Sequence, residues 1–191
     1  MILILAIVIG LSATLLRARL TNRTLNLPKF KWEWLVFISV VPQVFAFYVP
    51  FVGRWIPEQV IPYLQVASML GLLFFTGANL FYSGFWVLGL GLLSNFIVIS
   101  SNRGWMPISP ETLHRMVPTR PVDFWEVGTR LGLTKDRILA LDDTKLAFLS
   151  DQFTLPQWVP YKVAFSFGDI LISIGVVILL WSLSQEQKEK K

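Results

Sequence analysis

Apolar runs and charged residues alternate along this chain on a scale set by a lipid bilayer. Residues 1–16 carry no charge, residues 34–53 form a second uncharged stretch, and residues 59–102 are uncharged throughout. A helix rises about 1.5 Å per residue, so roughly 20 residues cross a hydrocarbon core of about 30 Å. The third run is about twice that length. It divides at Gly77-Ala78-Asn79-Leu80-Phe81-Tyr82-Ser83-Gly84, where small and turn-forming residues predict a tight hairpin between two antiparallel helices. A last apolar run ends near residue 183 and carries one carboxylate, Asp169. The predicted spans are about 1–18, 34–53, 60–78, 84–101 and 162–183, with a polar region over about 102–161.

These elements predict an all-α fold, a polytopic bundle of about five transmembrane helices in a single integral membrane domain, 1–191. The cations Arg17, Arg19 and Arg23 follow the first apolar run instead of preceding it, which favours a retained span over a cleaved secretory signal. Pro42 lies inside the second span and predicts a kink there. In the polar region, Ser109-Pro110-Glu111 reads as an N-cap, a proline at the first helical position and an acid in the first turn. A short helix is expected over residues 110–116. Further short helices are expected over residues 135–141 and from Asp142 to Ser150.

Composition and charge narrow the picture. The chain is 54% hydrophobic and 15% charged, with a net charge of +5. The excess is concentrated between Arg17 and Glu33, which holds five cations and one anion, and in the lysine-bearing tail of Lys188, Lys190 and Lys191. Beside membrane spans such charge sets orientation, so both segments are expected in the cytoplasm, with the N-terminus and polar region outside. A nucleic-acid partner is not expected. With no cysteine and one histidine, His114, no metal site and no cofactor are expected. The lipid bilayer and a membrane-protein or lipid partner are the expected contacts.

Asp169 is the residue that asks for chemistry. A carboxylate at the centre of a membrane helix costs roughly 2.5–3.5 kcal/mol on insertion scales, so it needs a partner or a cavity. On the antiparallel helix 84–101, Asn95 lies seven residues before the boundary at Asn102. Asp169 lies seven after Lys162, so the two fall at similar depth and the Asn95 amide is placed to donate to the carboxylate. The expected polar cluster is Asn95, Asn102, Arg103, Ser166 and Asp169, with Ser94 and Ser173 as further hydroxyls. It is either a clasp fixing helix register, with Gly168 and Gly175 permitting close packing, or an acid–base group facing an outer cavity.

Two resemblances bear on that choice. In the last span Phe165, Asp169, Ile172 and Gly175 resemble the final signature of the lipoprotein signal peptidases, membrane aspartic peptidases that cleave bacterial prolipoproteins. Ser166 and Gly168 replace that signature's asparagine and alanine. In the family's other signature only Asn95 matches: Ser94 stands for the glycine, Val98 for the second catalytic aspartate and Ile99 for the arginine. Proton-sharing dyad chemistry needs two acids, and the remaining candidate is Asp151. The resemblance would make Asp169 and Asp151 the catalytic pair.

A second resemblance covers more of the chain. Residues 101–108, 144–151, Pro156, Pro160 and 164–175 resemble an uncharacterised bacterial family catalogued as domain of unknown function 5317, which implies a multi-span protein of the bacterial cell membrane and no assigned activity. The reading favoured by these observations is a non-catalytic structural or interaction protein with an Asn95/Asp169 cluster near the outer face. The alternatives are a signal-peptidase-like hydrolase lacking the usual second aspartate, and a small transporter.

Overall fold

The computed structural model describes residues 2–26 and 28–185. The Lys188, Lys190 and Lys191 tail lies outside the described residues. The fold is mostly helical, not wholly so. In chain order the elements are α1 (Ile2–Leu20), β1 (Thr24–Leu25), α2 (Trp34–Tyr48), the single turn α3 (Pro50–Gly53), α4 (Ile61–Ala78), α5 (Phe85–Ser101) and β2 (Met106–Ile108). They continue with α6 (Pro110–Met116), β3 (Asp136–Ile138), β4 (Phe153–Thr154), β5 (Ala164–Phe165), α7 (Phe167–Ser182) and β6 (Ser184–Gln185). By length and composition two helices are able to cross a membrane, Ile2–Leu20 and Glu58–Ala78; α2, α5 and α7 are apolar and shorter.

The long helices pack in the order α1, α7, α5, α4, α2. Small residues make the closest approaches. A Cβ on Gly91 of α5 would lie 2.6 Å from the Gly168 carbonyl oxygen, and one on Gly175 of α7 would lie 2.5 Å from the Leu88 nitrogen. Gly84, at φ +91°, opens α5 directly against the Gly175 carbonyl. Two glycines seven residues apart on each helix therefore bring the antiparallel backbones of α5 and α7 together. Gly10 does the same for α1 against Leu180 and Val177 of α7. Ser39 of α2 meets Gly71 of α4.

The predicted hairpin between α4 and α5 forms at Asn79, where the first helix is capped. Asn79 is 1% exposed and exchanges hydrogen bonds with both backbone groups of Lys31, at 2.8 and 2.9 Å. The basic segment is thereby fastened to the hairpin end of the bundle. Antiparallel β1 and β6 tie the ends of α1 and α7 at that same end, and Arg17 sits 4.4 Å over the Trp181 ring.

The polar region caps the opposite end. The N-cap expected at Ser109 is made, with the Thr112 N–H donating to its hydroxyl at 3.2 Å. The helix expected over 135–141 is not formed. Met106, Pro107 and Ile108 are fully buried, so their backbone groups need partners away from water. Parallel pairing with β3 supplies them and overrides local helix preference. The helix expected from Asp142 to Ser150 is also absent: two 3₁₀ turns, Leu141–Asp143 and Ala147–Leu149, flank a break at Leu146, whose φ is +56°. Asn102 holds that break open by accepting from Lys145 N at 3.0 Å and donating to Lys145 O at 2.9 Å. Antiparallel β4 and β5 stack Phe153 on Phe165.

Candidate functional site

The last apolar run does not become helical where it becomes apolar. Ala164 and Phe165 form a strand, Ser166 is the N-cap, and α7 starts at Phe167. Asp169 therefore lies in the first helical turn, which corrects its expected place about 10 Å down a continuous helix. The Asp169 N–H donates to Ser166 Oγ at 3.0 Å, and the Ser166 N–H donates to Asp169 Oδ2 at 3.2 Å, a reciprocal capping box. A carboxylate here also complements the positive end of the helix dipole.

Asn95 closes the network from α5. Its Nδ2 donates to Asp169 Oδ1 at 2.8 Å, and its Oδ1 accepts from Ser166 Oγ at 2.8 Å. Ser166 is fully buried and Asn95 nearly so. The Asn95 oxygen also lies against Gly168, where any side chain would collide with it. Three polar side chains thus satisfy one another at the point where α7 begins.

A second charged group stands beside this one. Lys135 Nζ donates to Asp151 Oδ2 at 2.8 Å and to Asp136 Oδ1 at 2.9 Å. Asp151 is 3% exposed, and its Oδ1 has no hydrogen-bond partner. It is held there by its own N–H, which donates to the Pro107 carbonyl at 3.1 Å. Burial pushes the Asp151 carboxyl up to about 7, with Asp136 and Asp169 adding to the rise against the opposing pull of Lys135. Burial works to lower Lys135, but Asp136, Asp151 and Asp169 outweigh it and hold the ammonium well above its usual value.

Lys135, Asp136, Asp151 and Asp169 line one cavity of about 350 Å³. Its other walls include the start of α1 at Ile2, the end of α2 at Gln43, Phe47 and Tyr48, the cap residues Ile108, Met116, Leu131 and Thr134, and the segment from Tyr161 to Phe165. The cavity lies between the cap and the bundle, where three helix ends meet. Among the described residues no group of three or more side chains is arranged to hold a metal ion.

The residues singled out in the sequence divide between places. Asn95, Ser166 and Asp169 come together, and Asp151 shares the cavity with Asp169 while pairing with Lys135. Asn102 and Arg103 do not join them: they line a separate cavity with Trp105, Arg137 and Lys145. The hydroxyl oxygens of Ser94 and Ser173 are buried with no hydrogen-bond partner, so neither joins the network. Val98 packs in an apolar cluster with Met69, Ile99 and Met106. Lys135 and Asp136 were not foreseen, because Thr134-Lys135-Asp136-Arg137 reads as a solvated helix start until β2 recruits it as a strand. The capping box was legible in Ser166-Phe167-Gly168-Asp169.

No curated protein and no solved structure matches the chain. Residues 28–181 match the family of unknown function DUF5317, a stretch that contains every residue of the clasp and of the Lys135 group. The chain therefore belongs to the DUF5317 family.

Proposed function

We propose that this chain is a five-span integral membrane protein of the bacterial cell membrane, with its N-terminus and polar cap outside, acting as a non-catalytic interaction protein. In this reading the single domain is 1–191, and the cap presents a charged cavity to a lipid or membrane-protein group at the outer surface. The membrane assignment is supported by the bundle's flanks. Ile4, Phe37, Phe74 and Trp86, on four different helices, are each more than half exposed, and apolar surface on that scale is stable in lipid and not in water. The orientation is supported by the five cations from Arg17 to Lys31 at the end opposite the cap.

The observation that carries the non-catalytic reading is the commitment of Asp169. Both of its oxygens accept hydrogen bonds within the clasp, and Asp151 pairs with a lysine, so no two carboxylates share a proton as an aspartic dyad requires. The second reading, a divergent membrane hydrolase using Asp169 and Asp151, is favoured by their opening onto one cavity. A prolipoprotein-type peptide offered to the protein in proteoliposomes separates them. No cleavage is expected; cleavage abolished by both Asp151→Asn and Asp169→Asn in folded protein would establish the hydrolase instead.

Orientation is tested independently. The chain has no cysteine, so a single introduced thiol reports its own side of the membrane. Glu126→Cys in the cap should react with an impermeant maleimide in intact cells and Arg19→Cys should not. The opposite pattern overturns the topology.

A further inference from the structure

An apolar groove adjoins the charged cavity. It has a volume of about 300 Å³ and runs between α1 and α7, walled by Ile2, Leu5 and Ile9 on one side and Ile174, Val177 and Ile178 on the other. Ser173 brings its one polar side chain. Ile2 lines both spaces, so the charged cavity adjoins one end of the groove. From Ile2 to Ile9 the groove follows about 10 Å of helix. A charged chamber beside an apolar slot of that length has the polarity profile of one amphiphile.

Charge decides what kind. Lys135 is neutralised from within by Asp136 and Asp151. Lys162, an exposed residue in the cavity lining, donates to the carbonyls of Gln157 at 3.0 Å and Val159 at 3.5 Å, and among the described residues it has no acidic partner. It is the cation left for a phosphate. On the acidic side, Asp151 is almost fully buried yet leaves Oδ1 without a donor, and Asp136 and Asp169 stand in the same wall. The three carboxylates outnumber Lys135, so a purely anionic headgroup would meet a net negative wall, and a purely cationic one would leave Lys162 unanswered. A headgroup carrying both a phosphate and a primary ammonium meets each side with its opposite. Tyr48 and Tyr161 beside the cavity belong to the residue type that settles at headgroup depth.

The geometry points to a binding site for one amine-bearing zwitterionic phospholipid, its phosphoethanolamine headgroup in the cavity and one acyl chain in the α1/α7 groove. The site rests on the membrane-spanning reading above and gives its outer cavity a ligand class drawn from the bilayer itself.

Full-length protein in vesicles supplies the test, with phosphatidylethanolamine or phosphatidylglycerol carrying a photoreactive group midway along one acyl chain. Irradiation followed by peptide mapping should place phosphatidylethanolamine crosslinks on residues 2–9 and 174–178, in excess over phosphatidylglycerol by roughly five- to tenfold, the discrimination of about one net hydrogen bond. Ile174→Trp fills the slot from a half-exposed position and should remove these crosslinks while leaving those elsewhere on the bundle. Equal labelling by the two lipids would reduce the groove to ordinary lipid-facing surface and overturn the inference, as would labelling that avoids it. Impermeant labelling of Glu126→Cys in intact cells reports orientation separately. Lost selectivity in correctly oriented protein sinks the lipid site alone, whereas inverted orientation sinks the reading beneath it.

Discussion

Asn95 and Asp169, 74 residues apart in sequence, meet at 2.8 Å across the interface of α5 and α7. The same asparagine accepts from Ser166, the residue that caps α7. One side chain therefore fixes both where the last long helix starts and how it sits on its neighbour. The contact replaces the apparent liability of a carboxylate in an apolar run with a helix cap, a dipole-complementing charge and an interhelical bond.

Asp169→Asn keeps an acceptor for the Ser166 N–H and leaves Asn95 a partner after an amide flip, so the thermal midpoint in detergent should fall by only a few degrees. Asp169→Leu strands buried donors on Asn95 and Ser166 and should destabilise by on the order of 2–4 kcal/mol. Thermal unfolding of the two variants, read beside their cellular abundance, checks this. Equal behaviour would remove the clasp from the account.

Glycine packing makes a sharper contrast. A methyl at Gly91 would lie 2.6 Å from a backbone carbonyl of α7, whereas one at Gly77 meets nothing within 4 Å. Gly91→Ala should therefore destabilise by about 1–3 kcal/mol, and Gly77→Ala should be neutral or stabilising by up to about 1 kcal/mol. Matched unfolding curves for the two variants decide it.

Asp151 predicts a pH dependence with a definite sign. Its carboxyl titrates near 7 in the fold and ordinarily near 3.8, so between those values the folded chain holds a proton that the unfolded chain has lost. The stability this contributes is fully present below about 3.8 and is lost as the pH rises through about 7. Lys135, held well above its usual value, stays protonated throughout. A midpoint measured from pH 4 to 8 should decline, by on the order of a few kcal/mol in stability, and Asp151→Asn should flatten the decline.

Asn102 offers a separate check on the cap. Its side chain replaces missing backbone partners for Lys145, so Asn102→Ala should cost about 1–3 kcal/mol and raise proteolysis between residues 141 and 149. The Asn95–Asp169 network should survive it.

The apolar helices were legible because membrane length and turn chemistry act locally. Gly77 to Gly84 broke the long run, and Ser109 announced α6 before any tertiary contact was known. The depth match between Asn95 and Asp169 followed from counting along antiparallel helices, and it survives although α7 begins later than hydropathy suggests, since Asn95 also reaches back to the cap residue. What hydropathy concealed was the strand Ala164–Phe165, because Val163, Ala164 and Phe165 are as apolar as residues of the helix beyond them. The pairing of β2 with β3 was illegible for a different reason. Three buried residues require a strand partner, and which distant triplet supplies it is decided by the assembled cap, so Lys135 arrived at Asp151 without a local signal. Asn102 lay beside the expected cluster in sequence and turned instead to a loop 43 residues away.

The late start of α7 also has a meaning for the surrounding bilayer. At 16 residues it is about 24 Å long, and α2 and α5, at 15 and 17, are about 23 and 26 Å. All three fall short of a typical hydrocarbon thickness of about 30 Å. In the membrane-spanning reading, lipid around these helices must thin to meet them, and most at the outer end of α7, where capped backbone replaces the missing turn. The protein is then a point of compression in its membrane, better matched to short acyl chains than to long ones.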